Sequence, residues 1–210
     1  GTCAGEGQLT QTHPENPPIN SMKPAQTIAL ATLSLAAGTA SAHTGDHGTL
    51  TGFAGGLAHP LLGLDHLFAM LAIGLWAAQQ GGRALWAIPA AFVAAMLAGG
   101  MLAWAGIGLP QVEGGIALSV LMLGLLVAAR LKASLGAGMG IAAGFALFHG
   151  YAHGLEMPLA AAPALYALGF VLATACLHGA GVAGSLLGRR AVQLAGAGIA
   201  ATGLALMFAM

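Results

Sequence analysis

The chain has 210 residues, of which 58% are hydrophobic and only 6% are charged, and its formal net charge is zero. A soluble domain carries about 25% charged residues, so this composition excludes a water-soluble domain and indicates an integral membrane protein. The neutral balance and the lack of a basic run argue against nucleic acid as a partner. The 34 glycines are typical of membrane helices that pack closely through small residues.

Residues 22–42 have the pattern of a cleavable secretory signal peptide. Met22-Lys23 supplies a positive start, an apolar stretch follows, and Ala40-Ser41-Ala42 matches a small-residue cleavage site. The apolar stretch is shorter than the ~20 residues that a spanning helix needs, which favours cleavage over an uncleaved first helix. Residues 1–21 are polar and proline-rich, and the sequence leaves their status open between an upstream mis-start and an added segment.

Residues 43–58 form the next predicted segment, an N-terminal tail on the periplasmic side. If cleavage follows Ala42, the tail begins with His43 and also carries His47. An N-terminal histidine offers an amine and an imidazole together, so these two residues are candidate accessory metal ligands. A polar tail without a metal role is the competing interpretation, and both stay open at this point.

Six apolar stretches of spanning length follow, so the predicted fold is an all-α membrane protein with a transmembrane domain over residues 59–210. All five basic residues after the signal peptide fall in alternate loops, between the first and second, third and fourth, and fifth and sixth stretches. Basic loops stay in the cytoplasm, so both mature termini are predicted to be periplasmic. The predicted spans are residues 59–79, 84–105, 111–130, 134–152, 160–182 and 190–210.

The first polar cluster lies at the outer part of the first predicted span. His59 and His66 are seven residues apart, which places them on one face if a single helix contains both. Asp65 precedes His66, and Met70 lies one turn beyond it as a candidate accessory thioether ligand. Pro60 suits the first turn of a helix. Ionisable residues in spanning helices are rare and usually functional.

The second polar cluster lies at the outer end of the fourth predicted span. His149, His153 and Glu156 are spaced by four and three residues, so they project together if the helix continues that far. Gly150 and Gly154 are the residues at which that helix would break. Glu113 opens the third span on the same side of the membrane.

The chemistry of these groups suits a borderline divalent cation, because imidazole binds nickel, cobalt, zinc and copper while carboxylates supply neutralising charge. His178 lies deeper, in the fifth predicted span, and is open to two interpretations: a second station on an exit path or a hydrogen-bonded core histidine. The predicted metal ligands are His59, Asp65, His66, Glu113, His149, His153 and Glu156.

Two motifs in this order resemble the signature segments of the HupE/UreJ family. They are His59-Pro60-x-x-Gly63-x-Asp65-His66 with Ala69-Met70, and Phe148-His149-Gly150-x-Ala152-His153-Gly154-x-Glu156. The resemblance implies a bacterial inner-membrane permease that takes up Ni²⁺, or Co²⁺ in some members, for the maturation of hydrogenase or urease. It implies the same seven ligand residues, a transported ion and no permanent cofactor, and a protein that is not an enzyme.

The expected partners are therefore a divalent transition-metal ion and membrane lipid. No nucleotide-binding motif is present, so a gradient or a partner protein would drive transport, and the sequence leaves open whether the protein is an oligomer. The competing class is a membrane-embedded oxidoreductase that uses the histidine clusters to bind a metal or haem. Metal analysis and a visible absorption spectrum distinguish the two classes.

Overall fold

The computed structural model describes residue 1, residues 52–157 and residues 162–210. Every regular element in these ranges is helical, as the composition predicts. The predicted signal peptide, with His43 and His47 after it, lies outside the described residues. The elements are α1 (Gly52–Leu62), α2 (Leu64–Gln80), α3 (Ala84–Trp104), α4 (Val112–Ala128), α5 (Leu135–Glu156), α6 (Pro163–Gly184), a 3₁₀ turn (Ser185–Leu187) and α7 (Arg189–Ala209).

Four of the described helices are long and apolar enough to cross a membrane: α3, α5, α6 with its 3₁₀ turn, and α7. The pair α1 and α2 makes a fifth if the two helices form one broken span. The 17 residues of α4 reach about 26 Å at 1.5 Å per residue, slightly less than the ~30 Å hydrocarbon core. The described residues thus contain four or five candidate spans, and a total of six remains a prediction.

The first predicted span is broken rather than continuous. Helices α1 and α2 meet at Gly63 and are bent by 83°, so His59 and His66 lie on different helices and do not share one helical face. Helix α1 already begins at Gly52, within the stretch predicted as a tail, because the apolar residues before His59 are helical too. Pro60 consequently lies in the last turn of α1, and its predicted place in a first turn is wrong.

Close helix contacts are made through glycine. A Cβ atom on Gly150 of α5 would lie 1.8 Å from the backbone oxygen of Met96 on α3, so the two backbones touch. A Cβ atom on Gly124 of α4 would lie 2.3 Å from the backbone nitrogen of Ala200 on α7. Helix α1 packs in the same manner against α6. Small residues allow this approach in membrane bundles, which explains the high glycine content.

Helix α2 occupies the centre of the bundle. It contacts α3, α4, α6 and α7, and Met70, Ile73 and Trp76 along its length are fully buried. Large apolar side chains such as Trp86 and Phe208 are exposed on the outside, as expected for a surface that faces lipid. The central helix is therefore the one that carries Asp65 and His66 into the interior.

A group of hydrogen bonds joins the end of α2 to the loop between α4 and α5; we call it the basic-end latch. Gln79 Nε2 donates to the backbone oxygen of Val127 at 2.9 Å, and Gln80 Nε2 donates to that of Leu131 at 2.9 Å. Lys132 Nζ donates to the backbone oxygen of Gln79. The latch satisfies carbonyl groups at two helix C-termini that have no partner inside their own helices.

The basic residues of the described chain gather at this end of the bundle. Gln193, near the start of α7, donates from Nε2 to the backbone oxygen of Ala128 at the end of α4. The loop after α2, the α4–α5 loop and the start of α7 therefore lie together, which we call the basic end. It carries Arg83, Arg130, Lys132, Arg189 and Arg190.

Candidate metal-binding site

Three predicted ligands meet at the end of the bundle opposite the basic end. Suitable ligand atoms of His59, His153 and Glu156 all lie within 4.8 Å of one another. His59 Nε2 is 3.0 Å from Glu156 Oε2, and His153 Nδ1 is 4.0 Å from the same oxygen. His59 and Glu156 are partly buried and His153 is buried. The structure thus joins α1 and α5 through groups that are 97 residues apart in sequence.

Helix α5 presents the second motif on one face, as its spacing predicts. The helix continues without interruption to Glu156, so His149, His153 and Glu156 follow one another along it. Neither Gly150 nor Gly154 breaks the helix. Both instead give contact with α3, because a Cβ atom on either residue would collide with the α3 backbone or its side chains. Close packing against α3 holds the motif in the interior.

Asp65 and His66 begin α2 directly after the break. Asp65 Oδ1 lies 2.7 Å from both the backbone nitrogen and the ring Nδ1 of His66. A carboxylate only accepts hydrogen bonds, so Nδ1 carries the hydrogen and the neutral ring of His66 has its lone pair on Nε2. A carboxylate in this role fixes the tautomer and raises the basicity of a histidine ligand.

Gly63 leaves the space that the contact between Asp65 and His66 requires. A Cβ atom at this position would lie 2.7 Å from Asp65 Oδ1 and 3.3 Å from His66 Nδ1. The residue at the break must therefore lack a side chain if Asp65 and His66 are to keep their contact.

Four imidazole rings follow one another into the bundle; we call them the imidazole row. The ring centroids of His59 and His153 are 4.7 Å apart, those of His153 and His66 are 4.0 Å apart, and those of His66 and His149 are 4.7 Å apart. Exposure falls from the partly buried His59 to His149, which is fully buried. The row runs from the Glu156 end of the bundle towards its interior.

Ser119 of α4 sets the tautomer of the innermost ring. Its Oγ lies 2.6 Å from the backbone oxygen of Ile116 and 2.7 Å from His149 Nε2. A serine hydroxyl has one hydrogen, and the carbonyl only accepts, so that hydrogen goes to Ile116. His149 Nε2–H then donates to Ser119. The remaining nitrogen, Nδ1, carries a lone pair, and it has no hydrogen-bond partner within the described part of the chain.

An aromatic wall from α6 covers the outer half of the row. The ring of Phe170 lies 4.1 Å from that of His153, and the ring of Tyr166 lies 5.8 Å from that of His59. A cleft of about 110 Å³ opens beside His153, bounded mainly by apolar residues of α3, α5 and α6. The cluster is thus enclosed on the α6 side and has open space next to one of its rings.

Three of the other predicted site residues, Glu113, Met70 and His178, lie outside both the imidazole row and the group formed by His59, His153 and Glu156. Glu113 is exposed in the first turn of α4, at the end of α4 away from the basic end. Met70 is fully buried one turn beyond His66, and His178 is buried deeper in α6. Ser119, Phe170 and Tyr166 were not among the sequence candidates, because a single serine or aromatic residue in an apolar helix gives no signal of its own.

Fold and site together define a helical, multi-pass type of membrane protein with histidines and carboxylates clustered in its interior. The chain matches the family model described as HupE / UreJ protein over residues 30–206, and it belongs to that family, so the resemblance seen in the two motifs is confirmed. Protein HupE of Rhizobium leguminosarum bv. viciae is 44% identical over 188 residues, which cover 86% of this chain and 96% of the relative. No solved structure matches the chain significantly.

Proposed function

We propose that this protein is a permease that takes up Ni²⁺, with Co²⁺ as a second possible cargo, across the bacterial inner membrane for the maturation of a metalloenzyme. The observation that carries the proposal is the imidazole row with its carboxylates at Asp65 and Glu156. Isolated polar groups in a bilayer are expensive, and four adjacent imidazoles in the interior suit a borderline divalent cation. Membership of the HupE / UreJ family, a family associated with nickel and cobalt uptake, supports the same cargo.

In this proposal the ion enters at His59, His153 and Glu156. Neutral imidazoles bind it and Glu156 neutralises part of its charge, while Glu113 attracts the ion from the same end of the bundle. The ion then moves to His66 and His149, whose lone pairs are set by Asp65 and Ser119. Neighbouring rings are close enough for one ion to be passed on before it is fully released, and each site has to bind weakly enough for release. Met70 is a candidate accessory ligand beyond His66.

The proposed orientation places the basic end in the cytoplasm, because basic loops are retained there. The Glu156 end then faces the periplasm, where a cleaved signal peptide would leave the mature N-terminus with His43 and His47. Six spans put both termini on that side. In this orientation the group formed by His59, His153 and Glu156 faces the periplasm, from which the metal is taken up.

The test is uptake of radioactive nickel by proteoliposomes that contain the purified protein. We expect the wild-type protein to accumulate nickel, and an excess of cobalt to compete. His153→Ala should abolish accumulation, because this ring contacts both His59 and His66. Thr202→Val is the matched control, since it removes a buried polar group that bonds only to its own helix.

Wild-type accumulation by the His153→Ala protein would contradict the proposal. A protonophore added to the wild-type vesicles shows whether a proton gradient drives uptake. Iron in the purified protein, or a haem absorption spectrum, would instead favour the oxidoreductase class.

A further inference from the structure

Phe92 of α3 contacts two buried imidazoles. Its ring centroid lies 6.0 Å from that of His149, the innermost member of the imidazole row, and 5.3 Å from that of His178 on α6. Phe92 is fully buried, and His178 is 3% exposed. The phenyl ring is therefore a shared neighbour of the row and of one further histidine.

His178 has the features of a ligand rather than of a satisfied core residue. Its Nε2 is buried and has no hydrogen-bond partner in the described ranges 52–157 and 162–210. An unsatisfied buried polar atom costs about 1–3 kcal/mol, and structural histidines in protein interiors are normally hydrogen-bonded. The Nε2 atom of His178, buried and without a described hydrogen-bond partner, is therefore available to bind an ion.

Two further donor atoms lie one helical turn away. Thr174 precedes His178 by four residues on α6, and Met96 follows Phe92 by four residues on α3, so each pair shares a helix face. Thr174 Oγ1 and Met96 Sδ are 4.0 Å apart, and both side chains are buried. Because α3 and α6 run in opposite directions, the Met96–Thr174 contact lies on the outer side of the Phe92–His178 contact.

The position of His178 along the bundle is set by α2. A Cβ atom on Gly74 would lie 2.1 Å from the backbone oxygen of His178, so α6 touches the central helix there. Gly74 is nine residues beyond Asp65 and six before Gln80 of the basic-end latch. His178 therefore lies deeper than the imidazole row, between that row and the basic end.

We propose that His178 is a second, deeper cation station, with Met96 and Thr174 as neighbouring donors, and that Phe92 is the gate between it and the imidazole row. The inference rests on the proposed function. The phenyl ring excludes the ion while it lies between His149 and His178, and rotation of its side chain joins the two stations. A phenyl face also attracts a cation weakly, so the displaced ring need not repel the passing ion.

Three variants test the gate in the same proteoliposomes, with nickel sulfate as the probe. His178→Leu removes the deep ligand. Phe92→Trp replaces the blocking side chain by a larger one, and Phe92→Leu replaces it by a smaller one. We expect uptake to fall about tenfold or more in the first two, as for loss of a group that supports a metal site, and to be kept or raised in Phe92→Leu. Equilibrium dialysis of the purified proteins should show that nickel binding at the outer ligands is retained in all three.

Uptake at the wild-type rate by both His178→Leu and Phe92→Trp would overturn the proposal. If His178→Leu cannot be purified as a folded protein, the comparison of the two Phe92 variants tests the proposal. Equal uptake by Phe92→Trp and Phe92→Leu would then overturn the proposal. Absence of nickel uptake by the wild-type protein would be a failure of the proposed function itself. Thr202→Val again serves as the control for removing a buried polar side chain.

Discussion

Replacing Ser119 by alanine removes the group that fixes the His149 ring. In the wild-type protein the hydroxyl accepts from Nε2–H and leaves the lone pair on Nδ1. Without it, the hydrogen can move to Nδ1, and the nitrogen that is proposed to bind the ion is then protonated in part of the population. Loss of such a supporting hydrogen bond typically weakens metal binding about 10- to 100-fold, which corresponds to about 1.4–2.8 kcal/mol.

The matched control is Ser185→Ala. Ser185 makes the same bond to a carbonyl three residues earlier, to Val182 at 2.6 Å, and no described hydrogen bond joins it to a histidine. Nickel affinity of each purified protein is measured by titration calorimetry, and the ¹⁵N shifts of the His149 ring report its tautomer. The expected result is weaker nickel binding and a changed tautomer in Ser119→Ala only. Unchanged affinity together with an unchanged tautomer would refute the reasoning.

Three other outcomes are expected. Gly150→Ala should lower the melting temperature in detergent, since its Cβ would meet the Met96 backbone at 1.8 Å. The control Gly144→Ala, on the same helix, meets nothing within 4 Å and should be neutral or stabilising by up to about 1 kcal/mol. Equal melting temperatures for the two variants would contradict this packing. Gly63→Ala should reduce nickel affinity by displacing the Asp65 carboxylate, and wild-type affinity would show that the break tolerates a side chain. Nickel affinity of the wild-type protein should fall as the pH is lowered, because protons compete for the imidazoles; a pH-independent titration would argue against histidine ligands.

The sequence predicted the helix of the second motif well. Residues spaced as His149, His153 and Glu156 can share a face only in a helix, and α5 supplies that helix to its last residue. Glycines four residues apart, Gly150 and Gly154, were recognised as special positions, although they permit helix contact instead of breaking the helix. Local spacing carries this information, so it can be read from one chain.

Other features depend on contacts that the sequence does not encode locally. Gly63, where the first span breaks, is one of many glycines in the sequence. What distinguishes it is the space that the Asp65 side chain requires beside it, and this space is visible only in the structure. Phe92 and Ser119 look like ordinary helix residues until the register between helices brings them to His149. Glu113 was predicted to be a ligand because it lies at the same end of the membrane as the two clusters. Lying at the same end does not fix its distance from them, and in the structure Glu113 is exposed and lies outside the group formed by His59, His153 and Glu156.

The basic-end latch has a consequence for how tightly the membrane is sealed. The hydrogen bonds from Gln79, Gln80 and Lys132, with that of Gln193, number at least four. At about 1 kcal/mol net for each bond at most, the four bonds together oppose separation of that end by a few kcal/mol. In the proposed permease, these bonds keep the cytoplasmic end closed to protons while no ion is being transported. A Gln79→Ala, Gln80→Ala double variant should make vesicles measurably leakier to protons, and equal leak rates would show that the seal lies elsewhere.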